Sequence, residues 1–200
     1  MALRLARAGH EVVLGSRDAA RAAVTAEDLI ARGGDVIRGA SNEEAATSEF
    51  VVLATPWDST VATVSALRET LASKIVISMV NALVREGREL VPLYPPRGSM
   101  AAQVAAALPA SRIVGAFHHL PAATMEDLGS DLDADVLVFS DDDEARRRVA
   151  ALIDEVDGLH SIVAGSMSLA SAVEAFTAVC ISINIRYKAH SYVKMAGLSQ

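Results

Sequence analysis

The chain has 200 residues, 52% hydrophobic and 22% charged, with a formal net charge of −7. This length supports one sizeable α/β domain with its own core. The composition excludes a disordered chain, and the acidic balance argues against a general binder of nucleic acid or of anionic membranes.

Apolar strands and amphipathic helices alternate along the whole chain. Met1 to Ala8 reads as a helix closed by Gly9, and Glu11 to Ser16 (EVVLGS) as a short strand. Ala19 to Arg32 is helical up to Gly33-Gly34, Asp35 to Arg38 is a second strand, and Asn42 to Thr47 a short helix. Phe50 to Thr55 (FVVLAT) is a third strand stopped by Pro56, Asp58 to Leu71 a helix, and Lys74 to Val80 (KIVISMV) a fourth strand. Pro92, Pro95 and Pro96 make the stretch from Leu83 to Gly98 a loop, the longest break in the pattern. Helix resumes over Ser99 to Leu108, followed by strands at Arg112 to Phe117 and Asp135 to Phe139. A helix at Asp143 to Val156 is opened by Asp141, Asp142 and Asp143, which suit a helix N-terminus better than a metal site. Leu159 to Val163 is the last strand, and Leu169 to about Ala189 a long apolar helix. Strands that are near-continuous runs of Val, Ile, Leu and Ala are buried on both faces. The order therefore predicts a Rossmann-type, doubly wound α/β fold with a mostly parallel sheet and a C-terminal helical segment.

The single cysteine, Cys180, can make neither an internal disulfide nor a cysteine-based zinc site, and its apolar surroundings read as core. No apolar run reaches the roughly 18 residues of a membrane-spanning helix, and Met1 to His10 lacks the pattern of a signal peptide. A cytoplasmic protein, with no membrane or nucleic-acid partner, is expected.

In an open parallel sheet the ligand lies beyond the carboxyl ends of the strands. The first strand ends in Gly15-Ser16-Arg17, with Arg21 one helical turn on. An acidic residue at that place selects the free 2′-hydroxyl of NAD, whereas arginine suits the 2′-phosphate of NADP; a solvated helix-start arginine is the plainer alternative. After the third strand come Thr55, Pro56 and Trp57, where a rigid turn lets backbone approach a ligand and where Trp57 fits core packing equally well. Ser78 and Asn81 follow the fourth strand and could meet a nicotinamide. His118 and His119, read as strand residues, point to opposite faces, do not suit one metal ion, and line either a pocket or a polar loop. No Ser-His-Asp set, carboxylate pair or P-loop is readable, which fits hydride transfer between cofactors and no catalytic side chain.

A dinucleotide fold opens with a strand and a G-x-G-x-x-G loop. This sequence opens inside what reads as the first helix, so the expectation is an N-terminally truncated Rossmann unit. Either the reading frame starts earlier, the favoured reading, or the chain is a shortened form.

Several stretches then match one known family: LRLARAGHEVVLGSRD at Leu3 to Asp18, VVLATPW at Val51 to Trp57, KIVISMVNAL at Lys74 to Leu83 and VGAFHHLPA at Val114 to Ala122. SDDDEAR at Ser140 to Arg146, DGLHSIVAGSMSLASAVE at Asp157 to Glu174 and INIRYKAHSYVKMAGL at Ile183 to Leu198 continue the match. The chain resembles the NADPH-dependent reductases of the deazaflavin coenzyme F-420 (8-hydroxy-5-deazaflavin:NADP oxidoreductases) over nearly its whole length. The resemblance implies hydride transfer between NADP(H) and coenzyme F-420. It implies Ser16 and Arg17, supplemented by Arg21, at the 2′-phosphate, and Thr55, Pro56 and Trp57 along the NADP. It places Ser78, Asn81, His118, Leu120 and Pro121 around the stacked rings; His119 stands where the family often has a smaller residue. Residues 1–164 are expected to form the NADP-binding unit, and 165–200 to complete the coenzyme site or a homodimer contact. The alternatives are another NADP-dependent reductase on this fold, or a non-catalytic subunit that binds NADP or dimerises.

Overall fold

The computed structural model describes residues 1–198. Helix α1 (Ala2–Arg7) leads into β1 (Val12–Ser16), and α2 (Ala19–Ala31) into β2 (Ile37–Ser41). The Asp18 carboxylate starts α2 by accepting hydrogen bonds from the amides of Ala20 and Arg21. The short α3 (Asn42–Ala45) is capped by the Ser41 hydroxyl. Then follow β3 (Phe50–Leu53), α4 (Trp57–Ala66), α5 (Arg68–Leu71) and β4 (Ile75–Ser78). The helix expected over Asp58 to Leu71 is thus two helices, because Leu67 leaves helical geometry between them.

The stretch expected as an irregular loop from Leu83 contains a hairpin instead, β5 (Leu83–Glu86) antiparallel to β6 (Glu89–Pro92). Helix α6 (Met100–Ala107), capped by the Ser99 hydroxyl, precedes β7 (Arg112–Gly115), and an unforeseen turn of helix, α7 (Ala122–Glu126), precedes β8 (Ala134–Phe139). Asp142 caps α8 (Asp143–Asp154), Asp141 accepts from the Met167 amide, and Asp143 pairs with Arg146, so each of these aspartates has a structural partner. Strand β9 (Leu159–Gly165) and the 3-10 turn Met167–Leu169 lead into α9 (Ala170–Tyr187).

Five strands form the main sheet in the order β3-β4-β7-β8-β9, parallel except that β8 runs antiparallel to β7. β1 and β2 form a separate parallel pair. Side chains alternate across a strand, and both faces of β4 are covered: Ile75 and Ile77 pack with Leu5 of α1 and with Val149 and Ile153 of α8, while Val76 packs with Val64, Leu71 and Val104 of α4 to α6. Helices on both faces make the sheet doubly wound.

Helix α9 corrects one expectation from the sequence. With its preceding turn it spans Met167–Tyr187, long and apolar enough by length and composition to cross a membrane. A third of its most apolar stretch is buried in the protein, and Glu174 in its first half is bound to α6. Cys180 on the same helix is buried, and burial raises its thiol pKa.

Gly39 lets α2 lie directly on β2. A Cβ there would stand 2.3 Å from the Ala22 carbonyl carbon and the Ala23 nitrogen, both backbone. Backbone cannot rotate aside, so Gly39→Ala should cost about 1–3 kcal/mol in urea denaturation. A variant as stable as the parent would show that α2 is free to shift on β2.

Candidate functional site

The carboxyl ends of β1, β3, β4 and β7 carry the residues singled out in the sequence. At the end of β1 the Ser16 hydroxyl accepts a hydrogen bond from the Asp18 amide at 3.1 Å. Asp18 is engaged with the first turn of α2, so its charge serves that helix end. Arg17 and Arg21 are both exposed, and among the described residues neither has a salt-bridge partner. Guanidinium groups are the side chains that pair most readily with a phosphate monoester.

At the end of β3, Thr60 donates its hydroxyl proton to the Pro56 carbonyl at 2.8 Å. The 2.8 Å contact between the two threonine hydroxyls must then be donated by Thr55. Pro56 precedes α4 and offers no side-chain cap; its carbonyl takes the Ser59 amide at 3.2 Å, and among the described residues the amides of Trp57 and Asp58 have no cap. Trp57 opens the helix with 38% of its surface exposed, so it is not a core residue.

The ends of β4 and β7 are tied to α9. Asn81 donates from its side-chain nitrogen to the His118 carbonyl at 3.4 Å and accepts from the Thr177 hydroxyl at 3.1 Å. His118 and His119 do not lie in the strand, as the sequence suggested. β7 stops at Gly115, Phe117 takes a left-handed backbone with φ of +67°, and the two histidines occupy the turn that follows. Left-handed backbone at an aromatic residue is strained; it ends the strand here and sets the two rings 6.4 Å apart at 56°.

His119 donates from Nε2 to the Val173 carbonyl at 2.7 Å, which fixes the tautomer, and meets the edge of Phe176. His118 is stacked on Phe139, and among the described residues neither ring nitrogen has a hydrogen-bond partner. Burial first, and then the neighbouring His119, push its pKa down to about 3, so the ring is neutral. The Ser78 hydroxyl at the end of β4 is also buried without a partner. The two histidines, with Leu120, Asp135 and Val173, are packed so tightly that no water-sized space remains between them. Leu120 and Pro121 are half-buried at the start of α7. The structure thus joins Asn81 and His118 with α9, and it leaves Ser16, Arg17 and Arg21 as a separate group at β1.

Two features were not read from the sequence. Glu174 is buried and accepts hydrogen bonds from the Met100 and Ala101 amides at 2.7 and 2.9 Å, at the N-terminus of α6. Burial drives its carboxyl pKa up to about 7, outweighing the two amides that favour the charged form. A lone carboxylate in the apolar run of α9 was the available signal. Arg4 is also buried, donating to the carbonyls of Thr124 and Asp127 and so holding α7 against α1.

Residues 1–82 match the family described as NADP oxidoreductase coenzyme F420-dependent. The F420-dependent NADP reductase of Methanocaldococcus jannaschii is 35% identical over 199 residues, covering 94% of this chain and 87% of that protein. The enzyme of the same name from Methanothermobacter marburgensis is 32% identical, covering 93% and 87%. A solved structure from Arthrobacter sp. FB24, ascribed to the F420-dependent NADP-reductases, superposes with a TM-score of 0.83 at 26% identity, covering 98% of this chain and 93% of that one.

Proposed function

Because the chain belongs to the coenzyme F420-dependent NADP oxidoreductases, we propose that its strand ends hold NADP and the deazaflavin coenzyme side by side. The protein is an oxidoreductase that transfers a hydride between NADP(H) and coenzyme F420. The electron pair travels between the two cofactors, which supply that chemistry when bound, and the chain supplies binding, orientation and a dry environment.

The observation that carries the assignment of residues is the free cationic pair at β1. Among the described residues Arg17 and Arg21 have no carboxylate to neutralise them, and Asp18 is spent on α2. These two arginines and the Ser16 hydroxyl bind the 2′-phosphate of NADP. Thr55, Pro56 and Trp57 lie along the same cofactor, with the open amides of α4 available to its phosphates. Ser78, Asn81, His118, Leu120 and Pro121 face the reacting rings. The Ser78 hydroxyl and the His118 nitrogens are buried polar groups whose hydrogen bonds the described residues do not supply; the tight packing around His118 would have to open for a cofactor ring to reach them.

Residues 1–164 act as the NADP-binding unit, and 165–200 complete the coenzyme site; 199–200 lie outside the described residues. The segment also forms a homodimer contact, supported by Phe176, Val179, Ile183 and Tyr187, which are apolar or aromatic and exposed on α9. The protein works in the cytoplasm.

Mixing the protein with reduced F420 and NADP should restore the visible band of the oxidised deazaflavin. Tight NADPH binding without that return would point to another NADP-dependent reductase on the same fold. Replacing Arg17 with Ala should weaken NADPH by about 2 kcal/mol, roughly 30-fold, the scale of a charged hydrogen bond, while NADH changes little. Equal losses for both cofactors in a binding titration would remove Arg17 from the 2′-phosphate site.

A further inference from the structure

The groups assigned to the two ends of NADP sit on different parts of the fold, and one side chain joins those parts. Ser16, Arg17 and Arg21 lie at the end of β1 and the start of α2, whereas Leu120 and Pro121 lead into α7. Arg4 of α1 is only 7% exposed. Its Nη2 donates to the Thr124 carbonyl at 2.8 Å, the Asp127 carbonyl at 2.8 Å and the Ser130 hydroxyl at 2.9 Å. All three acceptors belong to α7 and the turn after it. Elsewhere on α1, Leu3 and Ala6 share a core cluster with Val12 and Leu14 of β1.

Helix α7 needs such an anchor. It has five residues, and Pro121 supplies no side-chain cap at its start. A helix this short does not stand by itself. Its last carbonyls have no partner within the helix, and a cation there also complements the helix dipole. The contact of Arg32 with the Glu126 carboxylate, at 3.5 Å, is exposed and contributes little. Ahead of α7, the His118 carbonyl is held by Asn81, and His119 is held by the Val173 carbonyl of α9. Leu120 and Pro121 lie between that fixed point and the Arg4 anchor.

We propose that Arg4 is a positioning residue for the hydride transfer: through α7 it sets where Leu120 and Pro121 stand against the reacting rings, relative to the 2′-phosphate held at β1. This role rests on the placement of the rings and of the 2′-phosphate given above. Arg4 touches neither cofactor in it. Lysine suits the same role. The three bonds leave a single nitrogen, which carries two hydrogens on arginine and three on lysine. The buried Nε of Arg4 has no hydrogen-bond partner among the described residues, so a methylene in its place loses nothing. Methionine fills the space and holds no carbonyl.

The whole chain is compared with Arg4→Met, Arg4→Lys and Ser130→Ala. In turnover of reduced F420 with NADP, Arg4→Met should lower kcat by about tenfold or more, because a displacement of about 1 Å can cost about 100-fold. The KM for NADP should change little. Arg4→Lys should restore most of kcat, and Ser130→Ala, which leaves α1 untouched, should show a smaller loss of the same kind. Affinity for adenosine 2′,5′-bisphosphate, which carries the phosphate end without a nicotinamide, should be unchanged in every variant. An unchanged kcat in Arg4→Met, a lysine variant no better than the methionine one, or equal losses of kcat and of bisphosphate affinity would overturn the proposal. Where Arg4→Met is too unstable to purify, Ser130→Ala decides by the same split. A parent that binds both nucleotides yet leaves reduced F420 unoxidised sinks the reaction assigned above and not the role of Arg4. NADPH binding then decides: Arg4→Met must weaken NADPH more than the bisphosphate, and equal changes overturn the role.

Discussion

A Glu174→Ala variant is expected to unfold in urea with a stability lower by about 2–6 kcal/mol. The first amides of any helix have no partner within it. In α6 the Ser99 hydroxyl takes the Ala102 amide, and Glu174 reaches across from α9 to take those of Met100 and Ala101. Met100 and Ala101 are buried, so water does not readily replace the carboxylate. Each buried donor left unpaired costs roughly 1–3 kcal/mol, which gives the range for two. Glu174→Gln keeps one acceptor oxygen and should lose less. A loss below about 1 kcal/mol in the alanine variant would show that α6 rearranges or admits water.

Lowering the pH from 6.5 to 3 is expected to withdraw about 5 kcal/mol of stability through His118 alone, given about 1.4 kcal/mol per pKa unit. Its pKa in the fold is about 3, against 6.5 for the free group. Between those values the unfolded chain takes up a proton that the folded chain refuses, so acid favours unfolding. Glu174 acts in the opposite sense. Its pKa is raised from 4.5 to about 7, and the folded chain holds a proton through that window that the unfolded chain has released. Its contribution is greatest below pH 4.5 and is lost as the pH rises towards 7. From pH 4.5 to 6.5 the two slopes cancel, so these groups together leave stability flat; below 4.5 His118 acts unopposed. His119, also lowered by burial, adds to the His118 side. In Glu174→Gln the compensation disappears, and stability should fall steadily as the pH drops from 6.5. Urea midpoints at several pH values decide this, and parallel profiles for parent and variant would contradict it.

Much of the layout is legible in the sequence because apolar runs ended by Gly or Pro carry a strong signal. Phe50 to Leu53, ahead of Pro56, is a strand for that reason, Ile75 to Ser78 reads as one from its β-branched run, and Asp18, Ser99 and Asp142 announce helix starts. The hairpin was hidden by its neighbours. Pro92, Pro95 and Pro96 suggested a loop, although Leu83-Val84 and Leu90-Val91 flank Gly87, whose φ of +60° makes the turn. The positions of Arg17, Thr55 and Ser78 at strand ends follow from alternation alone, whereas the turn that carries His118 beyond β7 does not. What the ends touch does not. That His118 is stacked on Phe139 depends on how β8 returns beside the turn after β7, and that Asn81 is bridged to Thr177 depends on how α9 folds back over residues about 60 to 100 positions earlier. Local pattern carries no register for such a contact.

The junction of β7 with β8 has a mechanical consequence. The two strands share one ladder pair, Gly115 with Phe139, and the Phe139 ring occupies the space that a side chain on residue 115 would fill. Beside it the Ser140 hydroxyl donates to the Ile113 carbonyl at 2.6 Å. Elsewhere in the sheet neighbouring strands are laced by ladders four to six residues long. Pulled from its two ends, the chain therefore meets a junction where ladder bonds contribute a single pair, and resistance comes from side-chain packing instead: Val149 and Ile153 of α8 share one core with Ile75, Ile77 and Val114 on one side of the junction and with Val136 and Val138 on the other.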